Sequence, residues 1–347
     1  MFRYIGNKTK LLSYIADRID DITGGKGVVA DIMAGTGSVS VELRKRGHTL
    51  ISSDIMTYSK VHLISQLLIS EPPLFKNNDE IEDSENKYAR ILDYLNNLQP
   101  VDGYFFNEFS PLGTPKNGCT SRKYFTSDNA RKIDAIRGEI NKWSAENSIN
   151  EIEEALLKHT LILAVNRVAN ISGTYGYFLS KFSKSSLEDI ILKPFEFIND
   201  SNTQHTVLQG EAEVLACTIK ADICYIDPPY TKRQYAANYH ILETIARGDF
   251  PEAVGKSGLR NWWDQHSKFC TKPNALNLLE KIIQEMDCEN FLISYSEDGL
   301  IKIDELRNML NKYGIVSTDE IKYNRFKSNR SSLDKQLKEY LIHLRRT

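Results

Sequence analysis

The sequence predicts an α/β protein: a Rossmann-like parallel sheet interrupted by an inserted, mainly helical block. Three observations lead there. The short apolar run Val28-Val29-Ala30-Asp31-Ile32 leads into the glycine turn Ala34-Gly35-Thr36-Gly37-Ser38 and then into the helix-like Val39-Ser40-Val41-Glu42-Leu43. The run-to-acid pattern returns in Thr49-Leu50-Ile51-Ser52-Ser53-Asp54 and again in Asp222-Ile223-Cys224-Tyr225-Ile226-Asp227. Between these, residues 71–199 have a different texture. Short apolar runs ending at turns are how buried parallel strands read, and helices between them complete βα units.

In chain order, the first strand, turn and helix are followed by a second strand ending in Asp54. The acidic stretch Asn77 to Asn86 reads as a loop, and a basic segment follows it. From Glu151 to Ala169, Ile152, Leu156, His159, Leu163 and Val168 fall near helical spacing with further apolar residues between them. Strands resume at His205 to Glu211, Asp222 to Asp227 and Asn290 to Tyr295. Gly314 to Ser317 and Glu339 to Leu344 read as a terminal antiparallel pair at the sheet edge. The expected division is residues 1–70 with 200–347 in the sheet domain and 71–199 in the insert. No repeat or low-complexity tract interrupts this pattern.

Composition excludes several classes. With 347 residues, 41% hydrophobic and 26% charged, the chain reads as globular, and no apolar run has the length of a membrane span. The N-terminal stretch lacks a signal layout, so a cytoplasmic protein is the default. Five cysteines without a CxxC pair or a histidine at ligand spacing suggest neither a disulfide framework nor a metal site. Cys224 fills a strand, and the seven scattered histidines read as structural or solvated. The formal charge of -2 hides basic stretches. Thr114 to Lys142 carries Lys116, Arg122, Lys123, Arg131, Lys132, Arg137 and Lys142 against three acids, and the tail from Glu320 is also basic. These are either solvated helix faces or patches that steer a polyanion.

The turn at Asp31 to Gly37 suits a nucleotide-type ligand, because glycine permits close backbone approach and the next helix offers free N–H groups. Ser40 stands where a third glycine would complete a dinucleotide fingerprint, and GxxxxGK[ST] does not occur, which disfavours NAD oxidoreductases and P-loop ATPases. Asp54 is placed either to accept hydrogen bonds from two ribose hydroxyls or to cap a helix. Glu211 is placed either to meet the adenine end of the same ligand or to stand as an exposed acid.

Asp227-Pro228-Pro229-Tyr230 is the strongest signal. Two prolines fix their own φ and donate no hydrogen bonds, so the loop is stiff. A carboxylate and a prolyl carbonyl held this way can accept both hydrogens of an amino group on a planar ring. Tyr230 adds a ring face for stacking, and the combination suits a nucleobase flipped out of a duplex.

With Arg3-Tyr4-Ile5-Gly6-Asn7-Lys8 at the N-terminus, then the Asp31 to Gly37 turn, Asp54 and Asp227-Pro228-Pro229-Tyr230 in that order, the chain resembles the Dam-type (alpha-group) bacterial DNA adenine-N6 methyltransferases. Tyr124 to Ala130, Ile133 to Arg137, Tyr239 to Thr244 and Tyr323 to Ser328 also resemble segments of restriction-modification members, so the likeness spans nearly the whole chain. It implies a sheet dependent on S-adenosyl-L-methionine and a target-recognition insert. Tyr4, Lys8, Asp31, Gly35, Gly37, Asp54, Glu211 and Asp227 would bind that cofactor, with Lys8 reaching either it or the target base. Met33 stands where the family usually has Phe; a flexible thioether can replace the packing of the ring. Asp227 and the Pro228 carbonyl would localise the lone pair of the adenine amino group and stabilise its developing charge, with Tyr230 stacking on the base.

The expected partner is double-stranded DNA, with Arg122, Lys123, Asn129, Arg137, Asn170, Tyr175 and Lys181 as candidate contacts and a cognate restriction endonuclease acting separately. No membrane association and a monomer or weak dimer are expected. Other readings are amino-group methylation of cytosine in DNA or of an RNA base, and a catalytically idle DNA-binding module. The intact acid and tyrosine of the loop argue against the last.

Overall fold

The apolar runs pair as seven strands in the order β3-β2-β1-β4-β5-β7-β6 in the computed structural model. It describes residues 8, 11–82, 84–117, 120–200, 204–324 and 336–347. The strands are β1 (Val28–Asp31), β2 (Thr49–Asp54), β3 (Thr206–Gln209), β4 (Ile223–Ile226), β5 (Asn290–Ser296), β6 (Gly314–Asn324) and β7 (Gln336–Arg346). β1 to β5 pair in parallel, and β6 and β7 form the expected antiparallel pair, with β7 lying against β5. Both are longer than their apolar runs, because the ladder continues through polar residues from Gly314↔Arg346 to Asn324↔Gln336.

Chain contacts separate the protein into two units. The sheet unit comprises residues 8–55, 202–234 and 267–347. All four residues of β4 are buried, as a central strand covered on both faces requires. Alternation along the strands separates the two faces. On one, Ala30, Ile32, Cys224, Ile226, Phe291, Ile293, Ile342 and Leu344 pack with Leu279, Ile282 and Ile283 of the helix Lys272–Glu285 and Leu306 and Leu310 of the helix Ile303–Leu310. On the other, the register sets Asp31 beside Tyr225, Tyr225 beside Leu292, Ser294 beside Leu341 and Ser296 beside Glu339. One face is thus an apolar core and the other carries polar groups toward the strand ends. The sheet order reverses between β1 and β4, the switch point where open α/β sheets bind ligands.

Among the described residues, the helical unit comprises 56–200 and 235–266. It reaches beyond the expected 71–199. The helix Thr57–Leu67 and the helix His240–Arg247 both pack on the helix Glu151–Val168, so chain from both sides of the insert joins it. Asn150 caps that central helix in a capping box with Glu153. Leu156, His159 and Val168 are buried while Ile152 and Leu163 are exposed, and Lys158 and Thr160 are buried too. The helix is covered nearly all round, which is why no single apolar stripe describes it. The acidic stretch from Asn77 carries no helix or strand among its described residues.

Candidate active site

The glycine turn follows β1 and is drawn against the end of β2. Gly35 and Gly37 have φ of +56° and +78°, the left-handed region that glycine enters without the Cβ penalty. Gly37 N–H donates to Ala34 O at 2.8 Å, closing the turn, and Ala34 N–H donates to Ser53 O at 3.0 Å. Gly35 N–H donates to Asp54 Oδ2 at 2.9 Å, so Asp54 is fixed by the turn. The helix Ser38–Lys45 starts at Gly37 without a side-chain cap.

Asp31 is buried at the end of β1. Its Oδ2 accepts from Ser40 Oγ at 2.6 Å, and Ser40 Oγ lies 2.8 Å from Ser52 Oγ. Ser40, which breaks the dinucleotide fingerprint, is therefore a buried structural donor. Asp31 Oδ1 has no hydrogen-bond partner among the described residues. Burial first, then the charges of Asp227 and Asp54, push the Asp31 pKa up to about 7 against the Ser40 hydrogen bond. Three carboxylates thus influence one another at the switch point, a setting that favours positive charge. Glu211, before the helix Ala212–Leu215, accepts from Lys268 Nζ at 2.7 Å.

Asp227 follows the last residue of β4 and keeps 18% side-chain exposure. Lys8 Nζ stands 3.1 Å from its Oδ1 as an ion pair. Oδ1 itself is buried and accepts no hydrogen bond among the described residues. The same ammonium donates a hydrogen bond to Glu339 of β7 and lies 5.4 Å from the centre of the Tyr230 ring. Burial raises the Asp227 pKa to about 6; Lys8 pulls it down and Glu339 pushes it up. Burial also opposes the Lys8 charge, yet Asp227, Tyr230, Tyr225 and Glu339 together hold its pKa well above the ordinary lysine value. Lys8, read as reaching cofactor or target base, is thus bound to the Asp-Pro-Pro-Tyr loop. Pro228 is buried, and Tyr230 meets Tyr295 edge to face at 6.1 Å while its carbonyl accepts from Leu300 N–H at 3.0 Å. Tyr4 lies outside the described residues.

The candidate DNA contacts all fall in the helical unit, and five of the seven are buried there. Arg122 donates to Glu108 Oε2 at 2.8 Å and to the carbonyls of Glu108, Ala253 and Gly255. Arg137 binds the carbonyl of Asp249 and covers the Phe250 ring at 4.4 Å. Asn129 donates to Glu188 O at 2.8 Å and accepts from Ile190 N–H at 2.9 Å. Asn170 donates to Lys123 O and Leu179 O and accepts from Ser183 N–H. Tyr175 is buried against Tyr239 and accepts at its carbonyl from Tyr124 OH at 2.7 Å. The guanidinium and amide groups of Arg122, Arg137, Asn129 and Asn170 thus tie backbone carbonyls together, a use that residue type and charge do not distinguish from phosphate binding. Lys181 is exposed, and Lys123 is half-buried with Nζ 3.5 Å from Ser180 O.

Two acids carry roles that sequence reasoning did not assign. Glu339, at the start of the apolar run of β7, holds Lys8. Glu243 accepts from Thr57 N–H, Tyr58 N–H, Gln265 and Arg247, thereby capping the helix Thr57–Leu67. The Tyr239 to Thr244 segment is thus a packing and capping element of its own unit. An acid in or beside an apolar run was the available signal for both.

A parallel sheet with a glycine turn after its first strand, an acid ending its second and Asp-Pro-Pro-Tyr at the switch point defines a Rossmann-like methyltransferase. The pattern of the D12 class N6 adenine-specific DNA methyltransferases matches residues 4–309, and the chain belongs to that family. It is 34% identical over 351 residues to Modification methylase StsI of Streptococcus sanguinis and 34% over 350 residues to Type II methyltransferase M.FokI of Planomicrobium okeanokoites. Those alignments take 99% of this chain and 52% of each relative, so the chain spans about half their length. Type II methyltransferase M.NlaIII of Neisseria lactamica is 32% identical over 355 residues, covering 99% of both chains.

Proposed function

We propose that the chain is a site-specific, Dam-type (alpha-group) DNA adenine-N6 methyltransferase and the modification enzyme of a bacterial restriction-modification system. The observation that carries this reading is Asp227: a partly exposed carboxylate at the switch point, backed by Lys8 and followed by two prolines. The names of the relatives, modification methylase and type II methyltransferase, support the biological setting. An endonuclease partner would act separately. No described helix is long and apolar enough to cross a membrane, and we propose cytoplasmic action on double-stranded DNA as a monomer or weak dimer.

S-adenosyl-L-methionine fits the site, because its positive charge would relieve the crowding of Asp31, Asp54 and Asp227, and when bound it supplies the methyl group. Asp31 and the glycine turn would hold its amino-acid part, Asp54 the ribose hydroxyls and Glu211 the adenine region. Asp227 and the Pro228 carbonyl accept the two hydrogens of the target amino group, which localises a lone pair otherwise delocalised into the ring and stabilises the charge that develops there. Lys8 keeps Asp227 ionised in its buried setting. Tyr230 presents its ring to the flipped base, and the released proton leaves to water or through Asp227.

Labelled methyl donor with duplex DNA, followed by nucleoside analysis, tests the reading: label is expected in N6-methyladenine. Label in methylcytosine, or in RNA alone, would overturn it. Asp227→Ala is expected to retain DNA binding and lose transfer, whereas an idle DNA-binding module would never transfer methyl at all. Long-read sequencing of DNA from an expressing host would give the recognition sequence.

A further inference from the structure

Lys8 faces two carboxylates but treats them differently. With Glu339, which is 1% exposed, it makes the closer contact and donates a hydrogen bond; with Asp227 Oδ1 it forms an ion pair at 3.1 Å. Oδ1 is buried, so the remaining exposure of the Asp227 side chain belongs to its other atoms. The ammonium therefore sits behind the carboxylate, away from the open side. Nothing in Lys8 itself keeps it there, since an ammonium on a flexible stem rotates freely among acceptors. The fixed point is Glu339, set by the β5–β7 register opposite Ser296.

We propose that Glu339 is a positioning residue: by hydrogen-bonding the Lys8 ammonium it holds that charge against the buried oxygen of Asp227 and leaves the open side of the carboxylate to the amino group of the target base. The inference rests on the role given to Asp227 above. The charged and titratable groups facing this pair are Glu339 from β7, Asp31 from β1, Tyr225 from β4 and Tyr230 from the loop. Tyr225 stays protonated because burial, and then the charge of Asp227, raise its pKa well above the ordinary tyrosine value. Its hydroxyl and those of Ser294 and Ser296 are buried and neutral, so they do not offset the charge of Glu339. Without the Glu339 charge, Lys8 is free to turn fully onto Asp227. The carboxylate then ionises more easily yet accepts less well from the substrate.

Glu339→Gln, which keeps shape and removes the charge, tests this. In carbon-13 NMR of the ligand-free protein, with Asp227 assigned by its loss in Asp227→Asn, the titration of Asp227 is expected to fall by about one pH unit in Glu339→Gln and to rise in Lys8→Met. In methylation assays, the acid limb of kcat/KM should move the same way, while the plateau kcat of Glu339→Gln drops about tenfold with KM for DNA little changed. Glu339→Asp should recover much of the wild-type profile. An unmoved Asp227 titration with an unmoved plateau would overturn the positioning role, and if Glu339→Gln does not fold, an unmoved titration in Lys8→Met would do the same. Failure of the functional reading looks different: no methyladenine from the wild type, with the NMR shifts still present.

Discussion

Replacing Asp227 by Asn should make the ligand-free protein more stable while abolishing its chemistry. Burial holds the Asp227 pKa at about 6 in the fold against 3.8 for the ordinary residue. Each unit corresponds to about 1.4 kcal/mol, so ionised Asp227 costs the fold about 3 kcal/mol relative to a neutral mimic of the same shape. The difference has a defined pH dependence. Below about pH 4 the carboxyl is protonated in folded and unfolded chains alike, and Asn offers no advantage. Between 3.8 and about 6 the folded form retains a proton that the unfolded form has released, so wild-type stability falls as pH rises and the variant pulls ahead. Above about 6 the advantage levels off. Urea unfolding followed by circular dichroism from pH 4 to 8 reads this directly. A difference that is flat with pH, or a variant less stable than wild type at pH 8, would refute the assignment of Asp227 as a carboxylate kept ionised at a cost to the fold.

Three further outcomes follow from the same geometry. The kcat/KM for methylation should fall about tenfold per pH unit below the Asp227 pKa of about 6, because the protonated carboxyl no longer accepts both ways; a profile flat to pH 5 would contradict this. Gly37→Ala places a Cβ at a φ of +78°, costing roughly 1–2 kcal/mol in thermal or urea unfolding, and should weaken binding of S-adenosyl-L-methionine measured by calorimetry. Arg122→Ala leaves the buried Glu108 carboxylate uncompensated and should lose about 3–5 kcal/mol of stability, whereas Lys181→Ala should leave unfolding within about 0.5 kcal/mol of wild type and reduce the salt dependence of DNA binding.

What could be read from the chain alone divides by physical locality. β1, the glycine turn and β4 were legible because strand burial, positive φ and proline rigidity act over a few adjacent residues. The long ladder of β6 and β7 was only half legible, since its backbone pairing runs on past the apolar runs that marked it, to Asn324↔Gln336. The helical unit was legible as a helical block but not in extent: Thr57–Leu67 and His240–Arg247 join it through contacts with Glu151–Val168 that are remote in sequence. The internal bonds of the buried basic and amide residues were not legible for the same reason. Arg122 and Asn170 look like DNA contacts until the carbonyls they hold, up to 133 positions away in the case of Gly255, are brought together.

On the polar face of the sheet unit, Asp31 and Asp227 lie with Lys8 and Glu339 in a cluster of charges that suits a cationic donor and a base amino group. Attraction for the DNA backbone has to come from cations outside this cluster. In the helical unit, Arg122 and Arg137 are committed to internal carbonyls, which leaves that work to exposed cations such as Lys181 and Lys184. On the proposed function, charge divides two tasks: the strand ends of the sheet would recognise one amino group and its methyl donor, while the DNA backbone would be held by side chains that the interior of the helical unit has not already engaged.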